Sequence, residues 1–168
     1  MQFRSIVSGI AALTLVAGLA VKATAEEKAK AEKVLTLADV PAPVQAAIKQ
    51  FAGSNAIEKI TKDSEDNKIV YEASVKINGT KQAIEVLADG TVSLTEKNVA
   101  LKDTPGAVQA AIKKLAGSGK VDEIVEETSG GKKSYEVAVT IDGKKKEADI
   151  TADGKIEDGE EKGGKDKD

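Results

Sequence analysis

Between residues 37 and 157 the apolar positions keep two periods, and each period occurs twice. Val44, Ile48 and Phe51 recur at helical spacing with Ala47 on the same face, and Val108, Ile112 and Leu115 do the same with Ala111. An acid shortly before a proline, Asp39-Val40-Pro41 and Asp103-Thr104-Pro105, marks each helix start. Proline in the first turn lacks only an N–H that has no partner there, and Pro43 is tolerated inside that turn for the same reason. Gly53 and Gly117 are expected to end the helices, because glycine accepts the backbone conformation found past a helix C-terminus. The pattern predicts two helices of about three turns, each with one apolar face.

After each helix the period falls to two. Ile69, Tyr71, Ala73, Val75 and Ile77 alternate with Val70, Glu72, Ser74 and Lys76, and Tyr135, Val137, Val139 and Ile141 alternate with Glu136, Ala138 and Thr140. Asn78-Gly79 and Asp142-Gly143 then mark two-residue hairpin turns, whose two central residues take positive φ. The return strands place Ile84, Val86 and Ala88, or Ala148, Ile150 and Ala152, on one face. Asp89-Gly90 and Asp153-Gly154 turn the chain into a short last strand through Val92 and Ile156. A first strand is expected over 56–64 and 120–128. Its apolar residues, Ile57 with Ile60 and Val121 with Ile124, do not share parity, so its register stays open.

The two passages are one pattern offset by 64 residues. Residues 37–92 lie over 101–156 without a gap, and 23 of the 56 pairs are identical. The fold class expected is α+β: two tandem repeats, each a helix packed on an antiparallel meander of three or four strands. Repeat 1 spans 37–95, a linker 96–100, and repeat 2 101–157. About 56 residues is marginal for a domain alone, and Phe51, Tyr71 and Tyr135 are the aromatics of the two repeats, so the repeats are expected to lean on each other.

Composition adds a compartment and a list of exclusions. Residues 1–25 read as a cleaved signal peptide: Arg4, an apolar run over 6–21, and Ala23-Thr24-Ala25 as the small-x-small site. Ser8, Gly9, Thr14 and Gly18 interrupt that run, which falls short of the roughly 20 apolar residues of a spanning helix. No stable membrane anchor is therefore expected after cleavage. Residues 26–36 form a charged leader, and 158–168, with no apolar residue, a charged tail expected to be disordered. There is no cysteine, which suits a bacterial periplasmic or secreted protein better than a small disulfide-stapled domain.

Without residues 1–25 the chain keeps 23 lysines and 28 acids, near −5 in total, with no clustered basic face for nucleic acid. It then contains no Arg, His, Cys or Trp. A zinc site of His and Cys, a Ser-His-Asp triad and a Cys-His pair cannot be assembled, and bidentate clamping of phosphate is excluded. No cofactor, no metal and no catalytic residue is expected. Gly117-Ser118-Gly119-Lys120 lacks the remainder of a phosphate loop and reads as a helix stop. Asp63, Ser64, Glu65, Asp66 and Asn67 lack the glycine and distal glutamate of a calcium loop and read as a solvated hairpin. The two Asp-Gly pairs are turns rather than paired catalytic carboxylates. Tyr71 and Tyr135 are expected in the core with their hydroxyls at an edge. Lys144, Lys145 and Lys146 read as a solvated edge.

LADVPAPVQAAIKQFA with VYEASVKINGTKQAIEVLADGTV, and LKDTPGAVQAAIKKLA with SYEVAVTIDGKKKEADITADGKI, resemble the PepSY-like domain, a relative of the repeats in beta-lactamase inhibitory protein. The resemblance covers nearly all of the folded part. It implies a non-enzymatic extracytoplasmic module that binds or restrains another protein through the outer face of a sheet formed by both repeats. The corresponding residues here are Glu72, Ser74, Lys76, Lys81, Ala83 and Glu85, then Glu136, Ala138, Thr140, Lys145, Glu147 and Asp149. This face is polar, of mixed charge, and without the Trp, Tyr and Arg anchors of tight interfaces. The alternative function is a structural or stress-related envelope protein with no specific target.

Overall fold

The computed structural model describes residues 34–65 and 68–157. The signal peptide over 1–25, the leader as far as residue 33, Asp66 with Asn67, and the tail 158–168 lie outside the described residues. The elements follow in the order α1 (Ala42–Ala52), β1 (Ile57–Glu65), β2 (Lys68–Ile77), β3 (Thr80–Leu87), β4 (Val92–Asn98), α2 (Gly106–Ala116), β5 (Lys120–Ser129), β6 (Lys132–Ile141), β7 (Lys144–Thr151) and β8 (Ile156–Glu157). All eight strands belong to one antiparallel sheet in the order β1 to β8. The class is α+β.

Both helices cover the same sheet face. Val44 and Ile48 of α1 pack on Ile60, Tyr71, Ala73, Ile84 and Val86. Val108, Ala111 and Ile112 of α2 pack on Ile124, Tyr135, Val137, Val139 and Ile150. Val108, Ile112 and Val139 are fully buried. Helical spacing and strand alternation thus meet where the sequence puts them, except that Ile69 is 40% exposed although it shares the parity of Tyr71, and Val70, of the parity of Glu72, is buried. Ala88 and Ala152 likewise lie exposed in turns rather than on the core side of their strands.

Each helix is preceded by a single 3-10 turn, Leu37–Asp39 or Leu101–Asp103. Asp39 serves that turn, accepting from the Thr36 N–H and hydroxyl at 2.8 and 2.6 Å. The α-helices begin after Pro41 and Pro105, and a glutamine one turn in fastens each start. Gln45 Nε2 donates to the Val40 carbonyl at 2.9 Å, and Gln109 Nε2 to that of Thr104 at 2.8 Å. The acid expected to open the helix thus caps the turn before it, and a glutamine secures the helix start.

The first-strand parity problem is settled by a bulge. β1 pairs Ile57 with Val75 and Ile60 with Ala73, the register shifting between Ile57 and Lys59; β5 pairs Val121 with Val139 and Ile124 with Val137, shifting between Val121 and Glu123. One extra residue in each strand returns both apolar residues to the helix face. The other departure is β4, which continues through Glu96, Lys97 and Asn98 into the segment expected as linker.

The Asp-Gly turn after each return strand closes onto the first turn of the helix. At Gly154, φ +85°, a Cβ would meet the Ala107 carbonyl oxygen at 2.7 Å; at Gly90, φ +91°, it would meet Pro43 Cβ at 2.8 Å. Gly154→Ala is expected to cost about 1–3 kcal/mol in denaturant unfolding. Gly106→Ala, with nothing within 4 Å, should be neutral or stabilise by less than about 1 kcal/mol.

Candidate partner face

Register fixes what the face without α1 and α2 displays. Because side chains alternate, the residues between the core positions share this face. Across β2 and β3 the facing pairs are Glu72 with Glu85, Ser74 with Ala83 and Lys76 with Lys81. Across β6 and β7 they are Glu136 with Asp149, Ala138 with Glu147 and Thr140 with Lys145. The candidate residues of each half therefore do lie together on one face, and Thr61, Leu94, Glu96, Asn98, Val125 and Glu127 join them through the other ladders.

Two of these positions are not outward in the sense expected. Glu85 is 9% exposed and Ala83 2%. A bulge between β3 and β4 pairs Glu85 with Leu94 and Val86 with Val92, bringing Ser93 beside Glu85. The Ser93 hydroxyl lies 3.5 Å from Glu85 Oε2 and 3.4 Å from its carbonyl oxygen. Thr140 is tied down as well: its hydroxyl donates to Asp122 Oδ2 at 2.5 Å, and Lys120 Nζ is 2.9 Å from Oδ1. The Thr140 hydrogen bond and then Lys120 hold the Asp122 carboxyl below its ordinary range.

The centre of the face is acidic and desolvated. Glu96 on β4 stands directly opposite Glu127 on β5. Burial first, and then the charges of Glu72, Glu127, Glu85 and Glu136, push the Glu96 carboxyl up to about 8. Glu127 is also raised, by burial and by Asp149, against a hydrogen bond from Ser134. The pair is not visible in the one-dimensional pattern, since Glu96 lies in the segment expected as linker and the register of β5 is open until the strands are paired.

The other candidates fall into structural roles. Asn78 and Gly79, like Asp142 and Gly143, have positive φ as the hairpin reading requires. Hydrogen bonds within the turns lower Asp89, through Thr91, and Asp153, through Thr151. Tyr71 is 6% exposed with Lys62 Nζ 6.0 Å from its ring centroid; Tyr135 is 2% exposed and its hydroxyl donates to Glu126 Oε2 at 3.1 Å. Gly117 follows α2 directly, its N–H bonded to the Lys113 carbonyl, so the helix-stop reading of 117–120 fits. Lys144 and Lys145 are exposed and Lys146 half-buried. Of the acidic stretch 63–67, Asp66 and Asn67 lie outside the described residues. Among the described residues no cluster of three or more acids is arranged to hold a metal ion, and no helix is long and apolar enough to cross a membrane.

No family model matches the chain, and no curated protein sequence matches it. It is similar to solved structures from Bacteroides. One, from Bacteroides eggerthii and provisionally described as periplasmic, has a TM-score of 0.62 at 18% identity, covering 72% of this chain and 88% of that one. A DUF2874 family protein from Bacteroides uniformis has a TM-score of 0.61 at 18% identity with the same coverage. A BLIP-like protein from Bacteroides fragilis has a TM-score of 0.57 at 19% identity, covering 76% of this chain and 92% of that one. At these identities the likeness is one of fold, and the fold is consistent with a BLIP-like one. None of the three bears the PepSY name.

Proposed function

We propose that the chain is an exported, non-enzymatic binding module, built of two PepSY-like repeats, that acts in the periplasm on another extracytoplasmic protein. The observation that carries this reading is the continuous eight-stranded sheet with one face left clear of α1 and α2 and lined by charged side chains from both halves. The BLIP-like likeness and the provisional periplasmic description of a similar structure support it. In this reading the partner meets Glu72, Lys76, Glu136, Lys145 and Glu147, while Glu85 and Thr140 shape the face from below.

Capture from a periplasmic extract tests it, using the immobilised chain beside two variants. Glu72→Lys with Glu136→Lys reverses charge on the proposed face, whereas Lys49→Glu alters the exposed side of α1. A protein retained by the parent and the α1 variant, and reduced about tenfold or more by the face variant, is the expected result; loss of one desolvated charge pair is worth that much. Equal retention on all three would remove this face from the function. The absence of Trp and Arg from the face favours the structural envelope reading instead, and under it all three would retain nothing specifically.

A further inference from the structure

The ladder between β4 and β5 joins β1–β4 to β5–β8, and it is short. It runs from Thr95 opposite Thr128 to Asn98 opposite Val125, whereas β2–β3 runs from Val70 opposite Leu87 to Ile77 opposite Thr80. Beyond its ends, the Val99 N–H donates to the Ile124 carbonyl and the Ser129 hydroxyl to the Ser93 carbonyl, each at 2.9 Å. The apolar core is divided, one cluster under α1 and one under α2. A solvent-open cleft of about 340 Å³, lined by Asn98, Val99, Asp122 and Glu123 among others, adjoins one end of the joint. On the helix face the ladder sets Lys97 opposite Glu126, a favourable pair; on the other face it sets Glu96 opposite Glu127. Like charges directly opposite in a ladder are destabilising.

The surroundings of Glu96 sharpen that repulsion. β3 contributes Glu85 and Lys81, β2 Glu72 and Lys76, β5 Glu127 and Glu123, β6 Glu136, and β7 Glu147, Asp149 and Lys145. Lys76 and Lys81 are displaced towards the hairpin end of β2 and β3, opposite each other, and Lys145 towards that of β6 and β7. The charges that bear on Glu96 are those of Glu72, Glu127, Glu85 and Glu136. We propose that the β4–β5 joint is a proton-controlled hinge: with Glu96 protonated the eight strands run as one sheet, and its ionisation opposite Glu127 loosens the ladder joining β1–β4 to β5–β8.

The direction follows from linkage. The carboxyl is held up to about 8 in the closed sheet, against an ordinary value of 4.5. The closed form therefore keeps a proton that a solvated Glu96 has released, and its advantage is complete below 4.5 and is lost as pH rises through about 8. The hinge changes how far the two halves of the partner face hold a fixed geometry, and it needs no partner to operate.

Amide hydrogen exchange on the purified chain tests this, read as protection factors at pH 5.5 and pH 8. Amides of the ladder, in Glu96 to Asn98 and Val125 to Thr128, should lose protection by more than about tenfold, linkage permitting up to about tenfold per pH unit. Those of Ala73, Ile84, Val137 and Ile150 should change by less than about threefold, since their ladders are not opened by a local event. Glu96→Gln should abolish the difference between the two pH values, and Glu127→Gln should reduce it. Because the chain has no cysteine, Ser54→Cys with Ser118→Cys, both exposed, admits a spin-label distance measurement, which should broaden at pH 8 in the parent and not in Glu96→Gln. Unchanged protection, a loss shared equally by all strands, or a full pH effect surviving in Glu96→Gln would overturn the hinge.

Discussion

Truncating Ile112 to alanine is expected to cost about 2–5 kcal/mol of folding free energy, one of the largest effects available to a single substitution here. Ile112 is fully buried in the middle of α2, against Tyr135, Val137 and Ile150. The core of this half is filled mainly by aliphatic side chains around Tyr135, held between helix and sheet, so the space left by the removed atoms stays largely open. Denaturant unfolding should show the midpoint falling with little change in slope. Lys113→Ala, on the exposed side of the same helix, should stay within about 0.5 kcal/mol of the parent. If the two variants behaved alike, α2 would not be anchored in the way the burial indicates.

Dividing the chain is expected to have a larger effect still. Residues 34–98 and 99–157, expressed separately, should each unfold at much lower denaturant than 34–157, the second segment most of all. Each is near the size at which a single core is marginal, and each loses the β4–β5 ladder, leaving a new unpaired edge. At pH 6, where the Glu96 carboxyl is held protonated, the intact chain should unfold in one transition. Two separate transitions matching the isolated segments would show that the ladder contributes nothing and that the halves are independent bodies.

Much of this fold is legible in the residues because its punctuation is chemical. Asn78-Gly79 and Asp142-Gly143 allow few other conformations, and the helical spacing of Val44 and Ile48, or Val108 and Ile112, identifies their buried faces without ambiguity. What escaped were features set by pairing between distant strands. The bulges in β1 and β5 are invisible in a one-dimensional pattern, where they look like a broken alternation at Ile57 and Ile60. Asp39 and Pro41 were read as one helix start, because a 3-10 turn leading into an α-helix carries the same residue types. The candidate face was half legible. Its β2, β3, β6 and β7 residues follow from alternation, but Glu96 and Glu127 become neighbours only once β4 and β5 are laid side by side.

The uninterrupted strand order also bears on how the chain reaches this state. Every ladder joins strands adjacent in sequence, so most close across a turn of a few residues. Of the ladders between the eight described strands, β4–β5 is the one that must wait for a segment carrying a whole helix, Gly106–Ala116, between Asn98 and Lys120. Closing about twenty residues rather than two adds about 2 kcal/mol of chain entropy. Two locally wound halves should therefore form rapidly, and the zipping of one against the other comes last.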